Sequence, residues 1–147
     1  MSLMTIRAYR HEDKEMLASL LAEIFPNDPP WNEPSAMIDQ KLDHSPESLL
    51  VGVDQNDVII ACVMAGYDGH RGWINTLCVG ASHRGQGLGE MMINAAIRHL
   101  NDQGAVKVNL QIRGDNLSLK RYYESLGFES EDRISMGILT ETGKSFL

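Results

Sequence analysis

Apolar positions recur along this chain with two spacings, and the changes between them divide it into alternating strands and helices. Residues Met4 to Tyr9 read as a first strand. From His11 to Phe25 the period changes, and Met16, Leu17, Leu20, Leu21 and Ile24 fall three or four apart on one face of a predicted helix. The proline-rich stretch Pro26 to Pro34 interrupts regular structure, and Ser35 is expected to cap a second helix running to about His44 through Met37, Ile38 and Leu42. Leu49 to Val53 and Val58 to Tyr67 read as strands joined by the polar turn Asp54-Gln55-Asn56-Asp57. A second turn, Gly66-Tyr67-Asp68-Gly69-His70-Arg71-Gly72, leads to the apolar run Ile74 to Val79, which reads as a buried central strand. Leu88, Met91, Met92, Ala95, Ala96 and Leu100 then share one helical face that stops near Gly104, and Val106 to Ile112 alternates as a strand. That is a β-α-β unit, whose strands should run parallel with a right-handed crossover. Asp115 or Asn116 is expected to cap a last helix carrying Leu119, Tyr122, Tyr123 and Leu126, with Gly127 ending it. Phe128 onward is expected to return as a terminal β segment through Ile134, Met136 and Ile138 to Leu139.

Size and charge narrow the classes open to such a chain. With 147 residues, 43% of them hydrophobic, residues 1–147 should form one α/β domain with a full core. A formal net charge of −7 argues against general affinity for nucleic acid or anionic membranes, which need a basic face. An anionic ligand must therefore be held by local donors. No apolar run approaches the roughly 18 residues of a membrane span, and the N-terminus lacks a basic-then-apolar leader, so a cytoplasmic location is expected. The two cysteines, Cys62 and Cys78, fall in apolar strand-like runs without metal-type spacing and should be buried free thiols. His11, His44, His83 and His99 read as cap or surface positions, and no metal is expected.

The junction after the central strand carries the candidate chemistry. Arg84-Gly85-Gln86-Gly87-Leu88-Gly89 stands between the strand and the following helix. Glycines at alternate positions let backbone approach a ligand, and the first helical turn leaves N–H groups unpaired and partly positive, so the loop reads as a phosphate cradle. The dinucleotide pattern G-x-G-x-x-G fails, because counting from Gly85 the sixth position is Glu90, and the Walker pattern fails for want of a following Lys. What fits is R-x-x-G-x-G on Arg84, Gly87 and Gly89, preceded by L-x-V on Leu77-Cys78-Val79. This resembles the acetyl-CoA site of the GNAT superfamily of N-acetyltransferases. A second segment agrees: Asn116, then seven residues later Tyr123 in Tyr123-Glu124-Ser125-Leu126-Gly127-Phe128, is similar to the Asn and Y-E-x-L-G-F of that family. Pro30-Trp31-Asn32 and the Gly66 to Gly72 turn resemble a bacterial subgroup of it. Ala81 stands where many members have Pro and Leu119 where many have Ala; neither removes a donor.

The resemblance implies a mixed β-sheet splayed at its centre and flanked by about four helices. It implies acetyl-CoA as cosubstrate, its pyrophosphate on the amides of residues 84–89 and its pantetheine arm along Leu77, Cys78 and Val79, with Asn116 also on the cosubstrate side. Transfer of acetyl to an amine needs a neutral nucleophile, a polarised carbonyl and a proton for the departing thiolate. The resemblance assigns the proton to Tyr123 and the carbonyl donor to the N–H of Val79. Many members place a Glu on the central strand, but Trp73-Ile74-Asn75-Thr76-Leu77 has no carboxylate. The base then comes from water relayed by Asn75, or from Asp68 or His70. Trp31, Asn32, Asp68 and Asn75 are the candidate acceptor contacts, Trp31 as an apolar or cation-binding face and Asp68 as an attraction for an amine. The expected activity is direct acetyl transfer, in a ternary complex, to a primary amine of a small molecule or a protein, by a monomer or homodimer. The alternative is a non-catalytic CoA-binding regulatory module.

Overall fold

Backbone pairing in the computed structural model, which describes residues 4–147, places five strands in one sheet in chain order. They are β1 (Thr5–Ala8), β2 (Leu49–Val53), β3 (Ile59–Tyr67), β4 (Gly72–Val79) and β5 (Val108–Leu110). The first four are mutually antiparallel, whereas β4 and β5 pair in parallel. The helices are α1 (Lys14–Ile24), α2 (Pro34–His44), α3 (Leu88–Gln103), α4 (Leu117–Ser125) and α5 (Glu141–Lys144), the last unexpected from the sequence. The chain divides into two compact units, one ending at Leu110 and the other spanning Gln111–Leu147.

In the first unit the sheet is covered on both faces, which is why β2 and β3 read as continuous apolar runs instead of alternating ones. Leu17 and Leu21 of α1 and Ile38 of α2 join Leu49, Val51, Cys62, Met64 and Cys78 in one buried cluster. Met92 and Leu100 of α3 cover the other face, where Gly52 and Gly72 leave no room for a side chain. Met16, expected on the apolar face of α1, is 44% exposed, while Ile93 of α3, not expected, is buried. Helix α2 is capped by Glu33, whose carboxylate accepts from the N–H groups of Ser35 and Ala36 at 3.1 and 2.8 Å, not by Ser35. The carboxylate there also meets the positive end of the helix.

Strand β4 departs from a regular ladder in two places, and both bear on the site. Met64 pairs with Thr76 but Ala65 with Ile74, so Asn75 is an extra residue, a β-bulge. And β4 pairs with β5 only through Gly72↔Val108, Trp73↔Asn109 and Ile74↔Leu110, so its last residues have no ladder partner on that side among the described residues. The expected opening of the sheet at its central strand is present.

In the second unit Asn116 caps α4, accepting from the Leu119 N–H at 3.1 Å, and Gly127 takes a left-handed φ of 99° after it. The expected terminal strand does not form: residues 129–139 belong to no ladder, and Ile134, Met136 and Ile138 are 90%, 90% and 94% exposed. Alternation marks a segment as extended, but a strand exists only where another backbone takes its hydrogen bonds.

Candidate active site

The unpaired end of β4 is a row of backbone groups with a defined direction. Successive amides of an extended strand point to opposite sides. The Gly80 N–H donates to Ile60 O of β3 at 2.8 Å, so Cys78 shares its direction and the amides of Leu77 and Val79 point to the open side. Arg84 confirms it by donating from Nε to the Val79 carbonyl at 3.3 Å, which folds the loop back onto the strand end. Leu77 and Val79 thus present the backbone groups expected of them. Cys78 does not: its backbone faces β3, and its thiol, 3% exposed, lies 3.5 Å from Cys62 Sγ in the core. Each of the pair is a free cysteine. The bond to its neighbour and burial hold the Cys62 thiol well above its ordinary pKa, while that bond lowers Cys78.

Beyond the strand, Gly85 and Gly87 both take φ of 78°, in the left-handed region, and residues 84–87 lie at the surface. Gly87 is the N-cap of α3, and no side chain bonds to that end. The amides of Leu88, Gly89 and Glu90 have no intrahelical acceptor, and the helix dipole adds partial positive charge there. No atom lies within 4 Å of where a Cβ on Gly85 or Gly87 would stand. An open, donor-lined concavity of this kind fits the diphosphate of a CoA ester. Because Gly87 is left-handed, Gly87→Val should cost about 1–2 kcal/mol of stability through backbone strain alone. Gly89 lies inside α3 and needs no left-handed backbone, so Gly89→Val avoids that strain and should lower CoA affinity at least tenfold in titration calorimetry.

A cavity of about 270 Å³ opens beside the bulge, lined by Met37, Gln40, Lys41 and His44 of α2 with Met64, Asn75 and Thr76 of the sheet. Asn75, the bulged residue, lines it, and its Oδ1 stands 3.5 Å from the Cβ position of Gly66 on the neighbouring strand. Lys41 donates from Nζ to the Ala65 carbonyl, and burial lowers its pKa against the opposing pull of Glu47. Of the expected acceptor contacts only Asn75 lines this cavity. The α2 residues were missed because a lysine and a histidine on a polar helix face read as solvated.

The turn before β4 has another use. The Asp68 carboxylate accepts from the His70 and Arg71 amides at 2.8 and 2.7 Å and from Trp73 Nε1 at 3.2 Å. These bonds, that from Arg71 foremost, hold its pKa below the usual carboxylate value, so it is a turn anchor and a poor proton acceptor. His70, exposed in the same turn, precedes the eight-residue β4 whose far end is Val79, roughly 23 Å along the strand at about 3.3 Å per residue. Neither residue is brought to the open edge of the last residues of β4. Trp31 and Asn32 form a 3-10 turn ahead of α2 and do not line the cavity.

In the second unit, Tyr123 is 8% exposed, edge-to-face with Tyr122 at 5.3 Å and with Phe128 at 5.5 Å. Burial, with a smaller contribution from Tyr122, pushes its pKa up to about 12. The Asn116 Oδ1 is taken by the Leu119 amide and the Ser118 hydroxyl, which leaves its Nδ2 for any ligand. Among the described residues no three His, Cys, Asp or Glu side chains gather as a metal site, and no helix is long and apolar enough to cross a membrane.

A sheet opened beside a helix N-terminus that no side chain caps offers the donors a CoA ester needs, and comparison with known proteins identifies the kind. Residues 14–128 match the model of the acetyltransferase (GNAT) family. An acetyltransferase of Sodalis glossinidius is 37% identical over 131 residues, 89% of this chain and 91% of that protein. Among solved structures, Ard1 from Thermoplasma volcanium superposes with a TM-score of 0.76 at 22% identity over 87% of this chain and 84% of its own. The aminoglycoside N-acetyltransferase AAC(6')-Iy, solved with a CoA-containing bisubstrate analogue, gives 0.76 at 18% identity over 95% and 99%. The chain belongs to the GNAT family: it is an acetyl-CoA-dependent N-acetyltransferase.

Proposed function

We propose that the protein acetylates a primary amine by direct attack in a ternary complex, with the acceptor entering the cavity between α2 and the β4 bulge. The observation that carries this reading is that Asn75 and Thr76 line the cavity while Leu77 and Val79, next along the same strand, present the open backbone edge. Acetyl-CoA, when bound, supplies an acetyl thioester whose C–S bond is exchanged for a C–N bond to the amine. The amides of residues 85–90 and Arg84 would hold its diphosphate end. The Val79 N–H would donate to the carbonyl oxygen as charge develops on it. Asn75 Oδ1 would accept one amine N–H and direct the nitrogen lone pair, its second proton passing to water at the cavity mouth. Tyr123, by its match to the family motif, would donate a hydrogen bond from its phenol to the departing sulfur, whose thiolate finally takes its proton from solvent. The family match running unbroken from residue 14 to 128 supports treating residues 1–147 as one functional domain.

No carboxylate lines the cavity, which is the one observation favouring a non-catalytic CoA-binding module. Free-thiol release from acetyl-CoA, measured with purified protein against small amines, amino acids and peptide N-termini, separates the two. Amine-dependent release of one thiol per acetylated product is expected. Tight CoA binding with no release on any amine would establish the module instead.

A further inference from the structure

The acceptor cavity has a charge opposite to that of the chain as a whole, and this bears on which amines it takes. Its titratable lining residues are Lys41 and His44. The overall charge of −7 would draw a cationic acceptor toward the protein, but the ionisable side chains that line the cavity are both of basic type, the nearby Glu47 acting on Lys41 without lining it. We propose that the cavity selects acceptors carrying a carboxylate beside the amine, amino-acid-like zwitterions, with Lys41 binding the carboxylate and Asn75 the amine. This selectivity rests on the acetyl-transfer reading of the same site.

Lys41 is placed for that role. It is half-buried on α2, and the bond from Nζ to the Ala65 carbonyl holds its long side chain over the bulge. Two further N–H groups of the ammonium remain for a ligand. Because one bond already orders the side chain, a carboxylate meets it with less loss of rotamer freedom than at a solvated lysine. The Cβ position of Gly66 lies 3.8 Å from Lys41 Nζ and 3.5 Å from Asn75 Oδ1, so the cation and the neutral acceptor atom are both close to one glycine and therefore close to each other. A molecule bearing an anionic and an amine group on a short frame can reach both. Met37 and Met64 supply the remaining, apolar wall. At about 270 Å³ the space lies just below the usual range of small-molecule pockets, about 300–1,000 Å³, which suits a small acceptor. Burial lowers the Lys41 pKa, and an anion in the cavity would counter that effect.

The test uses a panel of α- and ω-amino acids, each beside its amide and its decarboxylated amine. Two readouts are taken on the full chain with CoA or acetyl-CoA: binding, by NMR shifts of the lysine Nζ and Asn75 signals, and thiol release. For at least one acid, kcat/KM should exceed that of both its derivatives tenfold or more. In Lys41→Met the acid-to-amide ratio should fall to about one through a 10–100-fold rise in KM, and Lys41→Arg should restore much of it. Thermal melting of both variants shows that the fold is kept. Equal use of acids and their derivatives, survival of the preference in Lys41→Met, or a panel that neither binds nor reacts would overturn the inference. If acids bind at Lys41 but release no thiol, the transfer reading fails and the selectivity stands. Turnover confined to amines without a carboxylate does the reverse.

Discussion

Tyr123→Phe is expected to slow acetyl transfer by roughly 10²–10⁴-fold, the usual range for loss of a positioned general acid. The ring contacts with Tyr122 and Phe128 do not need the phenol oxygen, so melting temperature and CoA affinity should hold. The raised pKa makes a further, sharper expectation. A free phenol ionises near 10, but burial keeps this one protonated to about 12. The wild-type rate should therefore show no alkaline fall from Tyr123 below about pH 11. Its ionisation also couples to folding: stability contributed by the buried neutral phenol is present below pH 10 and is lost as pH rises from 10 toward 12. A thiol of ordinary pKa near 8.5 is the stronger acid by about 3.5 units, so complete transfer of the phenol proton even to the departed thiolate would be uphill by about 5 kcal/mol. In the proposed mechanism the phenol would therefore act by donating a hydrogen bond to the sulfur as charge develops on it. An unchanged rate in Tyr123→Phe with an established acceptor would return the residue to the core.

The second large effect is on stability. Asp13→Ala should destabilise the protein by about 3 kcal/mol, read by urea unfolding. The Asp13 carboxylate accepts from both Arg7 terminal nitrogens, at 2.7 and 2.9 Å, and from the Arg10 N–H at 2.8 Å. The two side chains are only 14% and 10% exposed, so removing the acid leaves a desolvated guanidinium with Asp57, at 3.3 Å, as its remaining ionic partner. Arg7 belongs to β1 and Asp57 to the β2–β3 turn, so the loss is felt where the first strand joins the sheet. The hydrogen bond from Arg7 holds the Asp13 pKa below its ordinary value. A carboxylate depressed in the folded state stabilises above its unfolded pKa, near 3.9, and that contribution disappears as pH falls below it through the folded value. The difference between wild type and Asp13→Ala should accordingly be full at pH 7 and shrink below pH 4. A variant as stable as wild type at pH 7 would show the pair to be compensated by its desolvation.

What was legible beforehand depended on how local the cause is. The glycine loop, the capping Asn116 and the apolar face of α3 are each set by neighbours a few residues away, and they stand where spacing placed them. The acceptor cavity is different. Asn75 becomes a bulge only through the register between β3 and β4, and Lys41 becomes half-buried only because α2 covers that part of the sheet. A lysine among polar neighbours carries no mark of such a position. Conversely, Asp68 and His70 read as chemistry because they are polar and close together, when one of them was folding the turn. The alternation of Ile134, Met136 and Ile138 named a conformation without naming a partner.

Helix α2 contributes one fully buried residue, Ile38, and supplies none of the open edge of β4 or the amides at the start of α3. Of its cavity-facing positions, Gln40 and His44 are exposed and only lightly tied to folding, whereas Met37 packs on the core and Lys41 is half-buried. Surface substitutions of this sort usually change stability by less than about 0.5 kcal/mol. Descendants of such a chain can exchange one acceptor for another through a few replacements on a single helix, each intermediate still folded and still charged with acetyl-CoA. If the cavity takes the acceptor as proposed, divergence in this scaffold is cheap where it alters the recipient and costly where it alters the donor.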